Sequence, residues 1–231
     1  MKTLIGTGGW QYFPLAKAQR LKAYSRLFGF VEVNSTFYTN PPIGLVRRWR
    51  ESVPQDFEFS VKVSREITYK AGFEQSDPFH RRLEYTAKVC DILRSNLVVV
   101  ETPSSFRLDE APVSWVETMV DFFEGLGLTV AWEHRGELDA KVVSIMKGMN
   151  IVHSVDLSRT SPAYDSPILY SRVFGRGEHT LYRFTERDFD EIERRAEAAR
   201  PKKAYIIFHG VAMYADALRF MKRVGQHAQV A

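Results

Sequence analysis

The chain has 231 residues, 45% of them hydrophobic and 26% charged, a mixture that excludes intrinsic disorder and supplies a full core for one domain. Lys plus Arg number 32 against 28 for Asp plus Glu, and a net charge of +4 does not by itself point to a polyanion partner. The single cysteine, Cys90, excludes an internal disulfide and, in its apolar helical stretch, reads as a small buried thiol in a reducing compartment.

Met1, Lys2 and Thr3 run directly into Leu4 and Ile5, without the apolar segment and cleavage site of a signal peptide, so a cytoplasmic location is expected. No apolar run approaches the ~20 residues of a membrane span, so no membrane partner is expected. Short apolar or β-branched runs then alternate with longer stretches of helical period, the pattern of parallel βα units.

In chain order, strand 1 is predicted at 4–8 with a helix at 15–28, and strand 2 at 30–34 with a helix at 43–52. Strand 3 at 57–63 leads into an insertion from Ser64 to Asp77 and a helix at 78–95, with Asp77 as N-cap before Pro78. Strand 4 at 97–101 precedes a helix at 114–125, which Gly125 and Gly127 terminate before strand 5 at 128–133. A helix at 137–149 leads to strand 6 at 151–156; the next stretch holds two prolines and no helical period, so one outer helix is missing before strand 7 at 169–174. Thr185 and Asp188 have near-capping-box spacing at the start of a helix at 185–200, and strand 8 at 204–209 is followed by a helix at 212–224. Eight such units without a linker or repeat predict one α/β domain over 1–231, a TIM-like (β/α)8 barrel lacking an outer helix between strands 6 and 7.

In such a barrel the strand face opposite the helices points inward, and its residues near the C-terminal strand ends form the site. Phe57, Phe59, Val61 and Val63 share one face of strand 3, which sends Lys62 inward. The same alternation turns Glu32, Asn34, Glu101, Glu133, Arg172 and His209 inward, and Asp156 closes strand 6 likewise. Layers of a purely structural barrel are dominated by Val, Ile and Leu, and buried charges cost several kcal/mol per ion unless paired. The bland alternative is a satisfied salt network.

The first third carries a more specific signal. Gly6-Thr7-Gly8-Gly9-Trp10, the run from Val31 through Glu32, Asn34, Ser35, Thr36 and Phe37 to Tyr38, and Phe57 to Val63 resemble the YecE-like family, domain-of-unknown-function family 72. Glu133-His134-Arg135, Asp156 and Arg172 to Gly175 resemble further family segments, with Phe174 and His209 departing from the usual residues. The resemblance implies a TIM-like barrel and no particular reaction.

The residues themselves leave three readings open. The first is an enzyme performing acid–base chemistry on a small anionic or polyol metabolite, including a phosphorylated one. Here Glu101 and Glu133 transfer protons, Lys62 and Arg172 stabilise negative charge, and Glu32 orients. Trp10, Asn34, Tyr38, Asp156, Gly175, Arg176 and His209 are the candidate substrate contacts, the glycines admitting a phosphate to the backbone. The second is a nucleotide or nucleic-acid protein using mouth aromatics such as Tyr12, Phe37 and Tyr38, a partner that is not favoured because Arg47, Arg48 and Arg50 read as a solvated helix face. The third is a non-catalytic small-ligand binder. No cofactor is assigned; a divalent metal is a candidate, since His209 with Glu101, Glu133 and Asp156 offers suitable donors.

Overall fold

The computed structural model describes residues 1–70, 76–107, 113–177 and 181–226; part of the insertion expected from Ser64 to Asp77, at 71–75, lies outside the described residues. The strands are β1 (Lys2–Thr7), β2 (Phe30–Val33), β3 (Glu58–Lys62), β4 (Leu97–Thr102), β5 (Thr129–His134), β6 (Val152–His153), β7 (Ile168–Val173) and β8 (Lys203–Phe208). The helices are α1 (Arg20–Tyr24), α2 (Ser35–Tyr38), α3 (Ile43–Glu51), α4 (Asp77–Leu93), α5 (Val113–Glu124), α6 (Ala140–Gly148), α7 (Glu186–Ala198) and α8 (Met213–Arg223). They fall into two compact units: unit 1 comprises Met1–Glu32, Glu51–Glu58 and Ser154–Ala231, and unit 2 comprises Val33–Arg50 and Phe59–His153.

In unit 1, β1, β8 and β7 form a parallel sheet in that order, with Leu4 beside Tyr205 and Tyr170 beside Tyr205. Paired residues of neighbouring strands share a face, so Tyr170 and Arg172 lie on the face of Tyr205 and Ile207. Gly6 is required by close approach: a Cβ there would stand 2.4 Å from the Phe30 carbonyl oxygen. The buried Tyr24 hydroxyl accepts from the Thr7 amide at 3.0 Å and donates to the Phe30 carbonyl at 2.9 Å, tying the end of β1 to the start of β2. Thr185 and Asp188 complete a reciprocal capping box at α7, as their spacing predicts. Phe189 of α7 and Phe220 of α8 pack against Phe208 of β8.

In unit 2, β3, β4, β5 and β6 are parallel neighbours. Leu97, Val98, Val99 and Val100 of β4 are all buried, which explains its unbroken apolar run: a central parallel strand is covered on both faces. Phe79, Leu83, Thr86, Val89, Cys90 and Leu93 form the buried stripe of α4. Burial pushes the Cys90 thiol up to about 12, the inert packed cysteine that the sequence suggests.

Several boundaries differ from the pattern-based ones. The helix expected at 15–28 is a 3-10 turn at Lys17–Gln19 followed by the short α1; Ser25 then donates its hydroxyl to the Lys22 carbonyl, a local bond that competes with helix propagation. Asp77 is the first residue of α4 rather than its N-cap, a position held by Ser76. Strand 6 stops at His153, three residues early, so Asp156 does not close a strand; Val155 instead bridges to Ser171. Residues 154–167 hold no helix, which is the missing outer helix. Among the described residues no helix is long and apolar enough to cross a membrane.

Candidate active site

The densest polar group of unit 2 lies at the C-terminal ends of β3, β4 and β5. Lys62 ends β3, and its Nζ donates to Glu101 Oε2 at 2.8 Å, with both side chains only 4% exposed. Glu101 sits beside Glu133 across the β4–β5 ladder, so the register that aligns the strands also places two carboxylates side by side. Like charges so placed need a cation between them, and Arg135 supplies it. Its Nε donates to Glu133 Oε1 at 2.5 Å and its Nη2 lies 3.0 Å from Glu101 Oε2.

The other Glu101 oxygen is occupied by a tyrosine from the segment after β3. Residues Glu66–Lys70 form a π-helical turn, a wide-wound element often found where a side chain must be re-aimed. Tyr69, on that turn, donates its hydroxyl to Glu101 Oε1 at 2.8 Å. Burial and the bond to Glu101 push this hydroxyl up to about 12, so it remains a donor at neutral pH. Phe37 completes the group, with Lys62 Nζ 3.7 Å from its ring centroid and the Tyr69 ring edge-on at 5.7 Å. Thr36 donates to the Lys62 carbonyl at 2.7 Å, which fixes α2 against the end of β3.

Exposure grades this cluster. Lys62 and Glu101 are buried, Glu133 is 14% exposed, and Arg135 and Tyr69 are about 40% exposed. Solvent therefore reaches Glu133, Arg135 and Tyr69, while the ion pair beneath them holds them in place. His134, of opposite parity, packs edge-on against Phe106 and Trp132, and its desolvated imidazole is held below the usual range; the packing role read from alternation is the observed one.

Unit 1 has its own buried carboxylate. Glu32, wholly buried, accepts from the Tyr170 hydroxyl at 2.8 Å and from Arg172 Nε at 3.2 Å, and His209 Nε2 stands 3.7 Å from it. The His209 ring stacks on Phe174 at 4.4 Å, with Arg172 above Phe174 at 5.3 Å. Asp156 lies in the turn beyond β6, where Oδ1 accepts from the Ser158 amide and hydroxyl and Oδ2 from the Phe174 amide at 3.0 Å. Burial pushes its carboxyl above the usual range in spite of those donors.

The remaining expected contacts are dispersed. Trp10 is buried at 8% exposure, Tyr38 is 60% exposed, and Asn34 precedes α2 without capping it by its side chain. Arg176 reaches the Ser158 carbonyl at 3.3 Å. Gly175 has φ of +80°, and a Cβ there would lie 1.9 Å from the Tyr182 ring, so turn and packing account for this glycine. Among the described residues no three His, Cys, Asp or Glu side chains are grouped to hold a metal ion. The carboxylates named as donors instead engage cations or backbone amides, and they do not fit a metal centre.

Alternation on each strand was sufficient to find Lys62, Glu101, Glu133, Glu32 and Arg172. It passed over Arg135 and Tyr170, although each stands two residues from a chosen position on the same strand course. Tyr69 has no periodic signal, because its direction is set by the π-helical turn.

Residues 4–231 match the profile of a family described as "Protein of unknown function DUF72". UPF0759 protein YecE of Escherichia coli K12 is 30% identical over 96 residues, 41% of this chain and 35% of YecE. UPF0759 protein YunF of Bacillus subtilis 168 is 24% identical over 169 residues, 65% of this chain and 59% of YunF. The matched chain thus spans from about a third to three-fifths of these curated relatives.

Among solved structures, a DUF72 family protein from Thermotoga maritima superposes with a TM-score of 0.79 at 20% identity, covering 98% of this chain and 100% of that one. A D-tagatose 3-epimerase-like protein gives 0.65 at 15% identity, covering 97% and 96%. The 3-keto-D-glucoside 4-epimerase YcjR of Escherichia coli, in its apo form, gives 0.63 at 9% identity, covering 97% and 99%. These likenesses show the fold: α/β, of the TIM-like barrel type.

Proposed function

Taking as premise that the chain belongs to the DUF72 family, to which no activity is assigned, we propose an enzyme that moves protons on a small polyhydroxylated metabolite. One observation carries this reading: a solvent-reached Glu133 is clamped by Arg135 over the buried Lys62–Glu101 pair, at the C-terminal ends of β3, β4 and β5. Those strand ends are where barrel enzymes keep their chemistry. Likeness of fold to two proteins described as sugar epimerases supports the substrate class, by analogy alone.

The chemistry needs a base, an electrophile and fixed geometry. In this reading Glu133 accepts a proton from a carbon beside a carbonyl, and the C–H electron pair moves into an enediolate. Arg135 donates to the oxygen that gains charge, and the Tyr69 hydroxyl supplies a further donor. Lys62 and Glu101 hold Arg135 and Tyr69 in position, contacting them and not the substrate. Unit 1 contributes a bonded set of Glu32, Tyr170 and Arg172, in which a supporting role suits Glu32 and Arg172. His209, with its side chain 11% exposed, is the member of that set able to meet a ligand.

Incubation with a panel of ketoses and aldoses in D2O, followed by proton NMR, tests the reading. Exchange of a carbon-bound proton is expected, falling by about 10²–10⁴ in Glu133→Gln with the fold retained. Binding without exchange would leave a non-catalytic binder; neither binding nor exchange would remove the reading.

A further inference from the structure

We infer that the ligand of the Lys62–Glu101–Arg135–Glu133 site carries no net charge and is recognised by its hydroxyl groups, with Tyr69 positioning it. The inference rests on the reading above and narrows its substrate class. A site for a phosphate or carboxylate needs positive charge left over after internal pairing, because an anion that gives up its hydration must be repaid by donors not already spent. Here Lys62 lies on Glu101 at 2.8 Å, and Arg135 is divided between Glu101 at 3.0 Å and Glu133 at 2.5 Å. Two cations thus meet two carboxylates, and the group is neutral as built.

The surroundings agree with hydroxyl recognition. Carboxylate oxygens accept from hydroxyls, guanidinium N–H groups donate to them, and aromatic rings cover the C–H faces of a polyol. Phe37 carries Tyr38 edge-on at 5.0 Å and Tyr69 edge-on at 5.7 Å, and both tyrosines are exposed beside the charged group. The Tyr69 hydroxyl on Glu101 Oε1 is itself a hydroxyl held by this cluster, and it marks the bond a ligand hydroxyl would make. Arg65, 5.6 Å from the Tyr38 ring centroid, is an exposed cation in solvent and not one held among buried donors. The glycine turn at Gly175, the expected phosphate contact, is explained by Tyr182 packing.

The test compares neutral ketohexoses and pentitols with the corresponding aldonates and phosphate monoesters, by thermal shift and saturation-transfer NMR on the wild-type protein. At least one neutral compound should bind about tenfold or more tightly than its charged counterparts. Glu133→Gln removes one negative charge and should shift the ranking at least about tenfold toward the anions. Anion preference in the wild type, with carbon-proton exchange intact, would overturn this inference and leave the proposed function standing. An unmoved ranking in a folded Glu133→Gln variant would overturn it as well. Absence of both binding and exchange across the panel would remove the proposed function, and this inference with it.

Discussion

Two carboxylates in this chain are served by the same partners. Glu58 opens β3 in unit 1 and accepts from Lys203 at 2.7 Å and from the Tyr205 hydroxyl at 2.8 Å, with Lys2 at 3.3 Å. Glu101 near the end of β4 in unit 2 accepts from Lys62 at 2.8 Å and the Tyr69 hydroxyl at 2.8 Å, with Arg135 at 3.0 Å. Composition cannot tell these centres apart, but position on the strand can. Glu58, Lys203 and Lys2 are first residues of their strands, the end associated with stability, whereas Lys62, Glu101 and Glu133 stand at or next to C-terminal ends. Burial differs too: Glu58 and Lys203 are about a quarter exposed, Glu101 and Lys62 4%. A salt network that serves only stability does not need so deep an ion pair, since desolvation offsets most of the Coulomb gain.

The largest effect is expected from breaking the deeper pair. Lys62→Met leaves Glu101 buried without its lysine and should cost about 3–5 kcal/mol in urea denaturation. Pairing it with Glu101→Leu should restore most of that stability, because a buried ion pair is readily replaced by apolar side chains of similar volume. The double variant should be folded and inactive in proton exchange. A stable double variant that keeps exchange would erase the contrast, making Lys62 and Glu101 a structural pair like the one at Glu58.

A smaller effect separates the units by pH. His153 of β6 pairs in register with Trp132; burial, with repulsion from His134 added, pushes its imidazole down to about 4. An unfolded histidine titrates near 6.5, so between these values the unfolded chain binds the proton more readily. The stability from the neutral imidazole is whole above about pH 6.5 and lost as pH falls toward about 4, on the order of 2–3 kcal/mol in all. His153→Gln should flatten the melting profile in that window. A profile unchanged by the substitution would show that this histidine is not the group taking up the proton.

Period and parity made most of this fold legible: β4 reads as a buried strand from Leu97 to Val100, and Thr185 with Asp188 marks α7 from spacing alone. Parity likewise picked out Lys62 and Glu101, because strand geometry turns alternate residues to one face. It failed where the strand stopped. Asp156 was assigned by counting along a β6 that ends at His153, so a turn and not a pleat sets its direction. Tyr69 was invisible for the same reason, its aim depending on a π-helical turn without a sequence period. Arg135 lies just past the end of β5, where alternation still holds, and was lost because attention stopped at the acid.

The smallest expected effect concerns Glu58. Burial alone would raise its carboxyl, but hydrogen bonds from Lys203 and Tyr205, with Lys2 behind them, outweigh this and hold it below the usual range. A group whose folded value is depressed stabilises the fold above its unfolded value, near 4.3 for glutamate, and that contribution fades as pH falls through the folded value. Because the pair is partly solvated, Glu58→Gln should cost no more than about 1 kcal/mol at neutral pH, and less in high salt. It should also reduce the steepness of acid unfolding below the unfolded value while leaving proton exchange untouched. A loss of exchange in Glu58→Gln comparable to that in Glu133→Gln would mean that strand-end position does not separate a supporting carboxylate from a working one in this chain.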